Sequence, residues 1–175
     1  CVHAAGLPPG VFQLVAGSAA EIAAEFLENP LCRKITFTGS TEVGRKLIAG
    51  AAAQVKPLSL ELGGHSPALV FDDADLDRAL EQVMIAKFRN TGQSCIAANR
   101  IYVQRGMAAK FIPALVERVR ALKVGHGLEP GVDIGPMINQ AALDKALAQI
   151  EDAQAKGAQL LCGGRQAPVP RHRVK

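Results

Sequence analysis

The chain has 175 residues, 49% of them hydrophobic, and a net charge of +4. That length can support a domain with a real core, and no apolar run is long enough to span a bilayer, so a soluble protein is expected. The charge says little about partners, because Arg165, Arg171, Arg173 and Lys175 sit in an acid-free stretch and residues 1–164 balance at 16 basic and 16 acidic side chains. Nucleic-acid binding needs a basic folded face, so neither a nucleic-acid nor a membrane partner is expected, and residues 165–175 read as a solvated basic tail.

The opening residues Cys1-Val2-His3-Ala4-Ala5-Gly6 lack the basic head and apolar stretch of a signal peptide. They also lack an initiating Met, which gives the expectation of a piece cut from a longer protein. Cys1, Cys32, Cys95 and Cys162 fit no zinc or disulfide spacing. A reducing compartment, the cytoplasm, follows as the expectation.

In chain order, Pro8-Pro9-Gly10 reads as a turn and Val11–Val15 as a short strand. Ser18 caps a helix over about 19–28, which Asn29-Pro30 closes. Lys34–Thr38, rich in β-branched and aromatic side chains, reads as a strand. Gly39-Ser40-Thr41-Glu42 turns into a helix reaching about Gln54, and Lys56–Leu62 is a third strand. The alternation predicts an α/β fold with a parallel sheet. Gly63-Gly64-His65-Ser66-Pro67 breaks the pattern and marks a domain boundary. A strand over 68–71 follows, and then a helix capped by Asp75, whose acidic start complements the helix dipole. A strand over 99–104, an amphipathic helix over 107–122, a loop over 125–136, a helix over 139–156 and a last strand over 158–162 complete the pattern.

Four features carry chemistry. Cys95 follows the polar turn Gly92-Gln93-Ser94. If a short helix begins there, its N-terminus favours the thiolate; the plainer reading is an inert packed thiol. Glu61 sits among Leu58, Leu60 and Leu62, before two glycines. Desolvation among leucines would raise its pKa into the range of a general base; the plainer reading is a solvated edge-strand charge. Phe37-Thr38-Gly39-Ser40-Thr41-Glu42-Val43-Gly44 is a strand–turn–helix junction able to hold a pyrophosphate, although a capped helix after a strand is common. Arg89 lies six positions before Cys95 and could hold a substrate carboxylate in bidentate fashion, or could simply be a surface Arg at a helix end.

The Phe-Thr-Gly-Ser-Thr-Glu-Val-Gly, Leu-Glu-Leu-Gly-Gly and Gly-Gln-Ser-Cys runs, in this order and spacing, resemble the aldehyde dehydrogenase superfamily. The resemblance runs from about Gly6 to Gly164, and Lys87-Phe88-Arg89-Asn90-Thr91-Gly92-Gln93 looks most like the succinate-semialdehyde dehydrogenase branch. It implies a Rossmann-type sheet segment followed by the start of a second α/β catalytic domain. Residues 1–62 would be the C-terminal part of a dinucleotide-binding domain and residues 63–164 the N-terminal part of a catalytic domain; the 165–175 tail does not follow the family. Cys95 would be the nucleophile and Glu61 the base that activates water. Gly39, Ser40, Gly44, Leu62 and Gly63 would bind NAD or NADP, and Arg89 would bind the carboxylate of an aldehyde such as succinate semialdehyde. No metal is implied, and intact relatives would be homo-oligomers. Some of that branch carry a second Cys two positions after the nucleophile; Ala97 stands there, so that disulfide switch is not expected. The chain matches only the middle third of the family's length, so turnover by the chain alone is not expected. The competing expectation is a truncated, non-enzymatic product that binds or co-assembles with a full-length relative.

Overall fold

The computed structural model describes residues 2–168 and divides the chain into two compact units, Cys1–Leu62 and Gly63–Lys175. The part of the basic tail from 169 onward lies outside the described residues.

In the first unit, α1 (Ala19–Glu28) starts where the Ser18 hydroxyl accepts the Glu21 N–H, and it ends at Asn29. Strand β1 (Ile35–Gly39) leads through α2 (Thr41–Ala51) and a 3-10 turn (Ala52–Gln54) to β2 (Leu58–Leu62). β1 and β2 pair in parallel from Ile35 opposite Leu58 to Gly39 opposite Leu62, as a strand–helix–strand crossover requires. Val55, with φ 52°, turns the chain out of the 3-10 segment. Buried Lys56 then donates to the carbonyls of Phe26 and Asn29 at 2.8 and 2.7 Å. One ammonium thus ties the start of β2 to the carbonyl end of α1, the pole that attracts a cation.

In the second unit, β3 (Pro67–Val70) and β4 (Arg100–Val103) also pair in parallel. Between them lies α3 (Leu76–Phe88), whose first turn is capped by the Asp75 carboxylate on the Arg78 N–H at 2.8 Å. α4 (Arg105–Arg120) accommodates Pro113, and α5 (Gln140–Ala155) is capped by Asn139. The core is Val70, Leu80, Val83, Met107 and Phe111, and Leu80 and Phe111 are almost fully enclosed. The strands place alternate residues on opposite faces, so Ala68, Ile101 and Val103 pack inward while Leu69 and Tyr102, opposite each other in the register, stay exposed.

Two expected strands do not form. Residues 11–15 begin as a bend, with the Val11 N–H on the Pro8 carbonyl, and join no ladder among the described residues, and Val11, Phe12, Leu14 and Val15 are all exposed. β-propensity there meets no neighbouring ladder, and propensity alone does not make a strand. Residues 158–162 likewise carry no ladder; the Leu161 carbonyl accepts from Arg120 instead. One isolated parallel bridge, Val124 to Ile134, ties the residue before the 125–136 loop to its far end.

Candidate active site

At the C-terminal edge of the β1–β2 pair, Thr38 stands opposite Glu61 and Gly39 opposite Leu62. Ligands of open parallel sheets bind beyond this edge. Ser40 lies in extended conformation and its hydroxyl accepts the Val43 N–H at 3.2 Å, while its carbonyl takes the Gly44 N–H. The N–H groups at the very start of α2 have no partner within the helix and face the direction an anion would take. Gly44 is buried against Leu62, and a Cβ there would come within 2.7 Å of Leu62 Cδ2. The missing side chain is therefore what lets α2 lie close over the end of β2. The first-turn acid Glu42 would oppose an anion, but Lys46 engages it at 2.8 Å and holds its carboxyl below the usual carboxylate range.

The structure thus brings Gly39, Ser40, Gly44, Leu62 and Glu61 to one edge of the first unit. One expectation about Glu61 is corrected. Its strand neighbours are partly buried, but Glu61 itself is exposed, because along a strand alternate side chains leave on opposite faces. The leucines beside it in sequence therefore do not desolvate it. Gly63, the next glycine, has open space where a Cβ would lie.

In the second unit, α3 runs into a 3-10 turn (Arg89–Gly92) that is not helical throughout. Asn90, Thr91 and Gly92 all have left-handed φ, at 52°, 59° and 73°. Asn and Gly tolerate this region and Thr does not favour it, so the turn is held by its surroundings. The Asn90 amide donates to the Gln93 carbonyl at 3.0 Å. The Gln93 side chain donates to the Pro136 carbonyl at 3.3 Å and accepts the Ile138 N–H at 2.9 Å, pinning the 134–138 segment against the turn.

Cys95 follows and is exposed, whereas Cys32 and Cys162 are half-buried. No helix begins at Cys95. The segment is a bend and turn closed by the Ala97 N–H on the Ser94 carbonyl at 3.1 Å, so a helix N-terminus is not the source of any activation of this thiol. Gly64 lies against its backbone, an added Cβ standing 3.9 Å from the Cys95 carbonyl oxygen. Arg89 follows the end of α3 with its backbone N–H on the Ile85 carbonyl, and it is exposed.

Sequence reasoning did not single out Gln93, Lys87, Asn99 or His65. Lys87 donates to Asn99 Oδ1 at 2.6 Å, and Asn99 Nδ2 meets His65 Nδ1 at 3.2 Å. Gln93, set between Gly92 and Ser94, could have been noticed as a long two-ended amide in an otherwise short-chain turn. The Lys87–Asn99–His65 chain spans 34 positions and left no local signal.

The aldehyde dehydrogenase family model matches residues 1–174. The chain is 52% identical over 161 residues to a glutarate-semialdehyde dehydrogenase of Pseudomonas aeruginosa, covering 92% of this chain and 33% of that protein. It is 51% identical over 161 residues to the NADP(+) succinate-semialdehyde dehydrogenase of Escherichia coli strain K12, with 92% and 33% covered. The crystal structure of an aldehyde dehydrogenase from Brucella melitensis biovar abortus 2308 superposes with a TM-score of 0.91 at 56% identity, over 94% of this chain and 34% of that one. The chain therefore spans about a third of the length of the relatives it matches. With its α/β architecture, its parallel strand pairs and a family match along nearly its whole length, this chain belongs to the aldehyde dehydrogenase family.

Proposed function

We propose that this chain is the central segment of an NAD(P)-dependent dehydrogenase that oxidises an aldehyde bearing a distal carboxylate, of the succinate-semialdehyde type, to the acid. Residues 1–62 would supply the end of its dinucleotide-binding domain and residues 63–164 the start of its catalytic domain. The observation that carries the reading is an exposed Cys95 on a turn braced by Gln93, in a chain about half identical to semialdehyde dehydrogenases. Cys95 Sγ adds to the aldehyde carbon and gives a thiohemiacetal, and its backbone N–H stabilises the oxyanion. When bound, NAD or NADP supplies the acceptor for the hydride. Glu61 takes a proton from the water that attacks the thioester, which releases the carboxylate and returns the thiol. Gly39, Ser40 and Gly44 would receive the dinucleotide phosphates, with Leu62 and Gly63 beside the nicotinamide. The cradle fits that task, because Gly44 leaves the helix start close to the strand end. Arg89 would hold the distal carboxylate.

The test replaces the matching third of the Pseudomonas aeruginosa relative with this chain and follows NAD(P)H formation from succinate semialdehyde. Cys95→Ala should fall to background. Glu61→Gln should give one burst of NAD(P)H and then stall at the thioester. A Cys95→Ala chimera as active as the parent would sink the proposal. The 175-residue chain alone should show little turnover. A second reading, association with a longer relative without catalysis of its own, draws on the exposed Phe12, Leu14, Leu69 and Phe71; it predicts that the parent chimera is inactive while the chain still co-purifies with that relative.

A further inference from the structure

We propose that Lys87, Asn99 and His65 form a hydrogen-bonded clasp across the neck of the loop that carries Cys95, with Lys87 and Asn99 acting as positioning residues for it. The functional part of this inference rests on the reading of Cys95 as the nucleophile; the clasp itself does not.

α3 ends at Phe88 and β4 begins at Arg100, so the nucleophile rides on irregular backbone between two regular elements. The neck of that loop is closed first by the backbone, through the Ala98 N–H on the Ala86 carbonyl at 3.1 Å. Lys87 and Asn99 each follow one end of this bond by one residue, and their side chains meet at 2.6 Å. The roles along the chain follow from donor chemistry. An ammonium only donates, so Asn99 must turn its oxygen to Lys87 and its NH2 to His65, and His65 Nδ1 must accept. Each bond fixes the orientation of the next.

Two close approaches carry the clasp to the nucleophile. A Cβ at left-handed Gly92 would stand 3.0 Å from the Lys87 carbonyl and 3.6 Å from its Nζ, so both ends of Lys87 lie against the turn. Gly64, next to His65, lies against the Cys95 carbonyl. The clasp therefore joins the end of α3, the exit of the loop and the 63–65 segment around one thiol. Ala97 and Ala98, both buried, seat the exit. Burial also pushes the Lys87 ammonium below the usual lysine range, so its bond to Asn99 is made against a desolvation cost.

The experiment is hydrogen exchange on the 175-residue chain, read by mass spectrometry for the 89–99 peptide, with the α4 peptide around Phe111 as internal reference. Asn99→Ala, on an exposed side chain, should speed exchange of the loop by about fivefold or more, roughly one charge-assisted hydrogen bond in a half-exposed setting, and leave α4 unchanged. Lys87→Met should do the same. Lys87→Arg, which keeps a donor toward Asn99 Oδ1, should stay within about twofold of the parent, a rescue that loss of packing alone would not give. Unchanged loop exchange in Asn99→Ala, or equal acceleration in α4, overturns the clasp. Alkylation of the parent chain with iodoacetamide separates the two proposals: no preference for Cys95 over Cys32 and Cys162 would remove the nucleophile reading and leave the exchange result standing.

Discussion

Replacing Lys56 with Met should unfold the first unit at much lower denaturant. Lys56 is 8% exposed and its ammonium holds the Phe26 and Asn29 carbonyls at 2.8 and 2.7 Å. Met keeps most of the buried stem, so the change isolates the head group. Hydrogen bonds to a charged group contribute about 1.5–3 kcal/mol each, and two would give about 3–6. Removing the ammonium also removes its own desolvation cost, which lowers the net loss to about 2–4 kcal/mol. Small proteins unfold in urea with slopes of about 1–3 kcal/mol per M, so the midpoint of this unit should fall by about 1 M or more. Far-UV circular dichroism follows both units. Tyr102 is the chain's single tyrosine, there is no tryptophan, and it lies in the second unit, so its fluorescence reports that unit and should shift less. A far-UV midpoint within about 0.5 M of the parent would refute the idea that this ammonium ties β2 to α1.

Two further outcomes are expected. In the active chimera, Arg89→Leu should raise KM for succinate semialdehyde by about 10-fold or more while leaving an uncharged aldehyde of similar length unaffected, as loss of a charged bidentate contact requires; equal effects on both substrates would remove Arg89 from carboxylate binding. Burial holds the Lys87 pKa below its unfolded value of ~10.4. Between the folded and unfolded values the unfolded chain binds more protons, so the Lys87 contribution becomes more favourable as pH rises through that window. The stability difference between parent and Lys87→Met should therefore shift toward the parent from neutral to alkaline pH, and a flat difference in paired urea titrations would contradict it.

The helices and the inner strands were legible because their signals are local. Ser18, Ser40, Asp75 and Asn139 each cap the helix that follows, and a cap needs only the next three residues to be read. The strands at 11–15 and 158–162 misled because a strand exists only with a partner, and partners are not written in the strand itself. The Cys95 turn was legible as polar and glycine-containing, but its left-handed run was not: Asn90 and Gly92 permit that conformation without demanding it, and Thr91 argues against it. Glu61 shows a different limit. Its neighbours in sequence are apolar, yet the pleat sends it to the opposite face from them. The clasp residues were invisible because each is an ordinary polar side chain until the fold sets it beside the others.

The closed neck at Ala86 and Ala98 has an evolutionary consequence. Inside the neck, Gly92 lies against the Lys87 carbonyl, Gln93 holds Pro136 and Ile138, and Ala97 is buried, so the framework depends on these residues and on their number but not on an exposed side chain such as Ile96. Substitutions at exposed Ile96 should accumulate freely and retune access to the thiol without disturbing the core around Leu80 and Phe111. A single inserted or deleted residue is another matter: it would shift the left-handed run against the neck and rotate Cys95 away from its neighbours. Variation in this segment should therefore be concentrated at its exposed side chains and rare in its length.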